Sequence, residues 1–221
     1  DTPTGEDWFL HFQDVGAYGR IMHLQPMKWV NDWPVIGTDK DGDGCGEPVL
    51  TYRKPNVGKT YPIATPPESD EFNTRHLGLQ WQWHANKKDT YGFTTDLGYI
   101  RLYAGSLSKE FVNFWEVPNL LMQKFPAEEF TATTKLTFTA KQDGEQTGII
   151  VMGWHYSYLS IRKAGDQFIL QQAVCKDAEQ QNLEQIKELA NIPVEHLKMP
   201  GVADNEWQTV YLQVKVRKGA V

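Results

Sequence analysis

The chain has 221 residues, of which 40% are hydrophobic and 12% are aromatic, and its formal net charge is -6. This length suffices for one large all-β domain, or for one domain with part of another. The sequence contains no run of eighteen apolar residues, no Lys/Arg block and no basic stripe interleaved with aromatic residues. We therefore expect neither nucleic acid nor a membrane as a partner.

The N-terminal part consists of short apolar runs bounded by turn-forming residues, a pattern typical of β-strands. It predicts strands at Trp8–Gln13, Arg20–Val30, Trp33–Gly37 and Pro48–Tyr52, with turns at Asn31–Asp32 and Asp39–Gly46. Roughly four strands correspond to one propeller blade or one ragged sheet edge, which cannot bury both of its faces. We therefore do not expect residues 1–55 to fold as an independent domain.

A proline-rich stretch, KPNVGKTYPIATPP, begins at Lys54 and predicts a linker over residues 56–67. The region after it, 68–221, shows cleaner alternation. Leu136, Phe138 and Ala140 point one way, as do Val210, Leu212, Val214 and Val216, and polar residues lie between them. Further strands are predicted at Ile149–Met152 and Tyr156–Ile161, with turns at Asp143–Gly144 and Gly165–Asp166.

This alternation indicates an all-β fold, an antiparallel sandwich whose outer faces are solvated. The segment Ala178–Ala190 departs from the pattern, because Leu183, Ile186 and Leu189 occur at near-helical spacing among Glu and Gln. Both a helix and a strand remain open there.

Most motifs of catalysis and cofactor binding are missing. The six histidines include no HExxH spacing, and the sequence has no Gly-x-Ser-x-Gly elbow and no Gly-rich phosphate loop. We therefore expect no cofactor and no Ser or Cys nucleophile. The two cysteines, Cys45 and Cys175, lie in different predicted domains and are not expected to form a disulfide.

The loop of Asp39, Asp41, Asp43 and Gly44 is similar to the start of an EF-hand calcium loop. The twelfth position of that loop, which requires a bidentate Glu, is Leu50. A solvated hairpin turn accounts for the same residues, and a structural calcium site is the alternative.

Arg20 follows Gly19 between two predicted strands, and we expect it to be buried. Its five donors in a fixed fork suit sugar hydroxyls or a catalytic carboxylate. The alternative is a structural ion pair with a neighbouring acid such as Asp14.

Three long strings carry a family resemblance. The string WFLHFQDVGAYGRIMHLQPMKWVNDWPVIGTDKDGDGCGEPV, which starts at Trp8, resembles the closing part of the five-bladed propeller of glycoside hydrolase family 43. The strings SDEFNTRHLGLQWQWHAN, from Ser69, and PNLLMQKFPAEEFTATTKL, from Pro118, resemble the concanavalin A-like β-sandwich that follows it in the family's β-xylosidases. The resemblance implies a partial propeller blade at 1–55 and the sandwich at 68–221, with further sandwich strands after Val221.

The resemblance also implies an inverting glycoside hydrolase that acts on xylose- or arabinose-containing plant carbohydrate. In that family the three catalytic acids come from earlier blades. Asp14, Asp32 and Glu47 match no catalytic motif, so the chain is expected to be non-catalytic by itself. Xylan, arabinoxylan or their oligosaccharides and the missing propeller blades are the implied partners, and a periplasmic or extracellular location is favoured.

The "GR" step at Gly19 matches a family position whose arginine contacts the sugar in the innermost subsite, and this implies that role for Arg20. His11, Gln13 and Asp14 precede it as further pocket candidates. Trp81, Trp83 and His84 are candidates for the pocket rim or for binding xylan, although two tryptophans on one strand face can also be core.

Two alternatives to a hydrolase fragment remain. The sandwich could be a non-catalytic xylan-binding module, or it could be a structural or interaction domain. In the last case Trp81 and Trp83 should both be fully buried.

Overall fold

The structure is a computed structural model that describes residues 1–193 and 208–219, and over these ranges it is almost entirely β, with no α-helix. The chain divides into two compact units, Asp1–Thr65 and Pro66–Val221. Among the described residues, no helix has the length and hydrophobicity needed to span a bilayer. The fold class predicted from the sequence is confirmed.

The first unit contains a three-stranded antiparallel sheet with the order β1-β2-β3. Its strands are β1 (Trp8–Asp14), β2 (Arg20–Val30) and β3 (Trp33–Ile36). Asn31 and Asp32 join β2 to β3 with positive φ angles of 50° and 61°. Two such residues between paired strands form the tight hairpin turn that was predicted at this position.

The predicted fourth strand at Pro48–Tyr52 is wrong, because the structure has only an isolated bridge between Thr38 and Glu47. The Gln25 side chain on β2 makes hydrogen bonds of the kind that a fourth strand would have made. Its amide donates to the Val49 carbonyl at 3.1 Å, and its Oε1 accepts the Val49 N–H at 2.8 Å. A buried side chain thus satisfies the backbone groups that a strand would otherwise pair.

Both faces of the β1–β2 sheet expose large apolar side chains. Leu10, Phe12 and Met22 are exposed on one face. Phe9 and Ile21 are exposed on the other, because successive residues of a strand alternate between faces. The described residues of this unit therefore leave much apolar surface uncovered.

The second unit contains ten described strands. They are β4 (Gln82–Trp83), β5 (Gly92–Thr94), β6 (Ile100–Leu102), β7 (Leu121–Met122), β8 (Phe130–Phe138), β9 (Gln146–Val151), β10 (Tyr156–Ala164), β11 (Gln167–Cys175), β12 (Gln185–Pro193) and β13 (Gln208–Val216). Four of them form an antiparallel sheet in the order β12-β11-β10-β9, and the others pair as β13-β8, β4-β7 and β5-β6.

The alternation predicted for β8 and β13 is confirmed by their register. Leu136 lies opposite Val210 and Phe130 lies opposite Val216, so the apolar residues of both strands share one face. The Phe138 ring lies 5.9 Å from the ring of Phe168 on β11, which is 1% exposed. This contact joins the β8–β13 pair to one face of the four-stranded sheet, as a sandwich requires.

The ambiguous segment Ala178–Ala190 forms a short 3₁₀ turn, Ala178–Gln180, followed by the strand β12. Leu183, Ile186 and Leu189 are all exposed, so their helical spacing creates no packed stripe. β12 instead pairs its backbone with β11, with a bulge at Leu170/Gln171. This segment is a strand because it pairs with β11, whereas a helix formed by the same residues would have no apolar surface to pack against.

Candidate functional site

Arg20 lies at the end of the β1–β2 hairpin, directly opposite Asp14 in the register. It is exposed, which corrects the expectation of a buried arginine. Its guanidinium carbon lies 5.1 Å from the centroid of the Phe12 ring, and it makes no ion pair with Asp14, whose Oδ1 accepts the Gly16 N–H at 3.0 Å. Arg20 is therefore exposed to solvent and does not make the structural ion pair with Asp14 that was the alternative.

The other two pocket candidates on β1 lie on the opposite face of the sheet. His11 and Gln13 alternate with Phe12 and Asp14, so they cannot share a face with Arg20. The His11 ring stacks on that of His23 at 5.3 Å. The structure thus brings Asp14 and Arg20 together and separates them from His11 and Gln13.

Trp81 is held by the residues around it in the second unit. Its indole Nε1 donates to Asp70 Oδ2 at 2.8 Å, and its ring lies 5.4 Å from that of Phe72. It precedes β4, so it does not share that strand with Trp83. Its half-buried position and hydrogen bond indicate a packing role.

Trp83 and His84 are also half-buried, and neither forms a flat exposed platform. The Trp83 ring lies 5.5 Å from that of Tyr91, and its buried Nε1 has no hydrogen-bond partner among the described residues. His84 Nδ1 bonds to the Val117 carbonyl at 2.8 Å. The fully buried tryptophans expected of a purely structural domain are therefore not seen either.

The carboxylates of Asp39, Asp41 and Asp43 lie within 4.8 Å of one another. The loop itself uses them, because the two oxygens of Asp39 accept the N–H groups of Gly42 and Gly44 at 2.7 Å and 3.1 Å. Asp41 and Asp43 likewise each accept a backbone N–H two residues later. These are the hydrogen bonds of a tight polar turn.

Sequence reasoning missed an open groove on the four-stranded sheet, with a volume of about 530 Å³. It lies on the face opposite the Phe168 side chain. Its lining comes from all four strands and from adjacent segments: Phe111, Gly144, Gln146, Tyr158, Arg162, Gln171, Glu184, Ile186 and Glu188. One signal was present in the sequence, since polar Ser160 lies between Leu159 and Ile161, and polar Gln171 directly follows the apolar run Phe168–Leu170.

At one end of the groove, Glu184 accepts hydrogen bonds from two buried tyrosines. Tyr158 donates to its Oε2 at 2.9 Å, and Tyr156 donates to its Oε1. Burial raises the pKa of both tyrosines well above the usual range, and the adjacent carboxylate adds to the effect. Both phenols therefore remain neutral donors in the folded protein near pH 7.

The chain belongs to the family of β-xylosidase C-terminal concanavalin A-like domains, whose model matches residues 69–221. It is 41% identical over 140 residues to a protein of Xylanibacter ruminicola that is named as a β-xylosidase, covering 62% of this chain and 25% of that protein. A β-xylosidase of Formosa agariphila is 32% identical over 182 residues, covering 72% of this chain and 30% of the relative.

A third relative, a non-reducing end α-L-arabinofuranosidase of Bacteroides ovatus, is 27% identical over 166 residues, covering 72% of this chain and 29% of the relative. The chain thus spans less than a third of the length of these relatives.

Two solved structures share the fold over 98% of this chain. One is a bifunctional GH43-CE protein of Bacteroides eggerthii, with a TM-score of 0.63 at 21% identity, of which this chain covers 25%. The other is a GH43 glycoside hydrolase engineered to display both endo-xylanase and exo-arabinofuranosidase activity, with a TM-score of 0.65 at 21% identity, of which this chain covers 40%.

Proposed function

We propose that this chain is the C-terminal part of an inverting glycoside hydrolase acting on xylose- or arabinose-containing plant carbohydrate, and that it is not catalytic by itself. The observation that carries the proposal is the family membership of residues 69–221, together with relatives named for β-xylosidase and α-L-arabinofuranosidase activity. Inverting hydrolysis needs two carboxyl groups roughly 6.5–9.5 Å apart with a water between them. We assign no such pair to this chain.

We propose residues 1–55 as the last blade of a propeller, 56–67 as a linker and 68–221 as the sandwich. The exposed apolar side chains on both faces of the β1–β2 sheet support the first assignment, because a propeller blade is covered by its neighbours on both faces. Segments that precede Asp1 in the complete protein would supply that cover.

Within this proposal, Arg20 binds sugar hydroxyls in the substrate pocket of the complete enzyme. The support is its exposed guanidinium, which is stacked on Phe12 and makes no ion pair with Asp14. Asp14 lies across the hairpin from it and could share one ligand with it. His11 and Gln13 could reach the same pocket only from the opposite face of the sheet.

The test is an assay of the 221-residue chain on chromogenic β-xyloside and α-arabinofuranoside. We expect no release of the chromophore above buffer, whereas an intact family 43 β-xylosidase assayed in parallel turns over. Clear turnover by the isolated chain, abolished neither by repeated purification nor by a change of expression host, would contradict the proposal.

A further inference from the structure

The second unit carries a polar groove that no catalytic role accounts for. We propose that this groove binds a neutral carbohydrate chain. Its floor is the face of the four-stranded sheet that holds Gln146, Tyr158, Arg162, Gln171 and Glu188. The register places Arg162 opposite Gln146, and Gln171 opposite Glu188, so these side chains share one face.

The floor of the groove is a prearranged hydrogen-bond network. Arg162 Nε donates to Gln171 Oε1 at 3.1 Å, and Gln171 Nε2 donates to Gln146 Oε1 at 3.0 Å. Gln171 is 2% exposed, so its amide is locked in one orientation. Buried polar groups are costly unless they are paired. This network pairs them and holds Arg162 in place, which reduces the entropic cost of binding.

At the edge of this network, one hydrogen-bond donor and one acceptor have no partner among the described residues. Arg162 Nη2 donates to Glu188 Oε1 at 3.1 Å. Arg162 Nη1 and Glu188 Oε2 make no hydrogen bond to any residue in 1–193 or 208–219. A free donor beside a free acceptor suits a hydroxyl group, which is both donor and acceptor.

The charged groups of the groove favour a neutral ligand over an anion or a cation. Its lining contains one guanidinium, Arg162, and two carboxylates, Glu184 and Glu188, so an anionic ligand meets net repulsion. Both carboxylates already accept hydrogen bonds, from tyrosines and from Arg162, which disfavours a bound cation. Phe111 and Ile186 add apolar surface for the C–H faces of a sugar ring.

The size of the groove fits this ligand class. Its volume of about 530 Å³ lies within the range of roughly 300–1,000 Å³ that is usual for small-molecule sites. The inference concerns binding alone and does not depend on the hydrolytic activity proposed for the complete enzyme.

The experiment titrates the 221-residue chain with xylohexaose and, separately, with the acidic oligosaccharide trigalacturonate, using calorimetry and NMR chemical shifts. We expect saturable binding of xylohexaose, at least tenfold weaker binding of trigalacturonate, and shifts centred on the Gln146, Ile186 and Glu188 amides. Absence of xylohexaose binding at millimolar concentrations would overturn the proposal, as would shifts confined to Trp81 and Trp83.

Variants provide the second arm. Arg162→Gln should weaken xylohexaose binding at least tenfold, because it removes a charged donor, and Glu188→Gln tests the paired acceptor with little change in size. Arg75→Gln is the matched control, since Arg75 also pairs with an exposed carboxylate, Asp96, outside the groove. If Arg162→Gln and Glu188→Gln both fold with unchanged melting temperature and bind like the parent chain, the groove is not the site. An equal loss of xylohexaose binding in Arg75→Gln would also contradict the assignment of the groove as the binding site.

Discussion

The guanidinium of Arg20 lies over the ring of Phe12, with Cζ 5.1 Å from the centroid, although Asp14 is its direct partner in the strand register. A cation over an aromatic face gains about 0.5–1 kcal/mol at an exposed site. The stacking fixes the plane of the fork while its N–H edge stays free. Arg20 thus makes no ion pair with Asp14, and its contact with a sugar is the proposal that the first variant below tests.

The first prediction concerns Arg20→Lys in the complete enzyme, with this chain joined to its preceding blades. Lysine keeps the charge but loses the planar fork, so one or two hydrogen bonds worth about 1.5–3 kcal/mol each are lost. We expect kcat/KM on aryl xyloside to fall roughly ten- to several-hundred-fold. Arg53→Lys is the control, because Arg53 pairs with Glu6 at 2.7 Å. Unchanged kcat/KM in Arg20→Lys would show that Arg20 does not contact the substrate.

The second prediction separates packing from sugar binding at Trp81. Trp81→Phe removes the hydrogen bond to Asp70, but Gln80 still donates to the same oxygen at 3.2 Å. We therefore expect a loss of about 1 kcal/mol in the free energy of unfolding, measured in urea. Affinity electrophoresis on xylan should show unchanged migration. Trp154→Phe, at an exposed position, serves as the control. Normal stability with a loss of xylan retardation would instead assign Trp81 to the binding surface.

The third prediction concerns alkaline pH. Burial and the Glu184 carboxylate raise the pKa of Tyr156 and Tyr158 in the folded state, whereas in the unfolded chain tyrosine titrates near pH 10. The stability that these neutral phenols confer is thus fully present below about pH 10 and is lost as pH rises further. Above that point, each tyrosine should lower the free energy of unfolding by roughly 1.4 kcal/mol per pH unit.

Urea unfolding at pH 8, 10 and 11 measures this loss. Tyr158→Phe should make the dependence shallower, because one titrating group is removed. Tyr211→Phe, at an exposed position on the outer face of β13, is the matched control for the loss of one phenol. Equal pH dependence in both variants would mean that Tyr158 does not have a raised pKa.

The fourth prediction concerns the two thiols, which are both free. Cys45 is exposed, whereas Cys175 is fully buried, and burial raises the pKa of its thiol. Ellman's reagent should therefore label one thiol in the native chain and two in guanidinium chloride. Cys45→Ser should remove the native signal. Rapid labelling of two thiols in the native state would contradict the burial of Cys175.

Sequence patterns correctly predicted the strands and turns that depend on residues close together in the chain. Asn31 and Asp32 tolerate positive φ, so the β2–β3 turn could be predicted from two residues. The alternation in β8 and β13 is likewise local, because a strand with one buried face must repeat every second residue. The family resemblance likewise came from strings read along the chain.

The tertiary structure decided what depends on residues distant in sequence. The side chain of Gln25 hydrogen-bonds to the Val49 backbone where a fourth strand was predicted. Pairing with β11 makes the segment after Ala178 a strand. Sheet pairing also separated His11 from Arg20, since the pleat places them on opposite faces.

The groove around Arg162 and Gln171 likewise depends on sheet pairing. Its polar groups lie on four strands and meet only when the sheet forms, because register and not sequence spacing sets which side chains share a face.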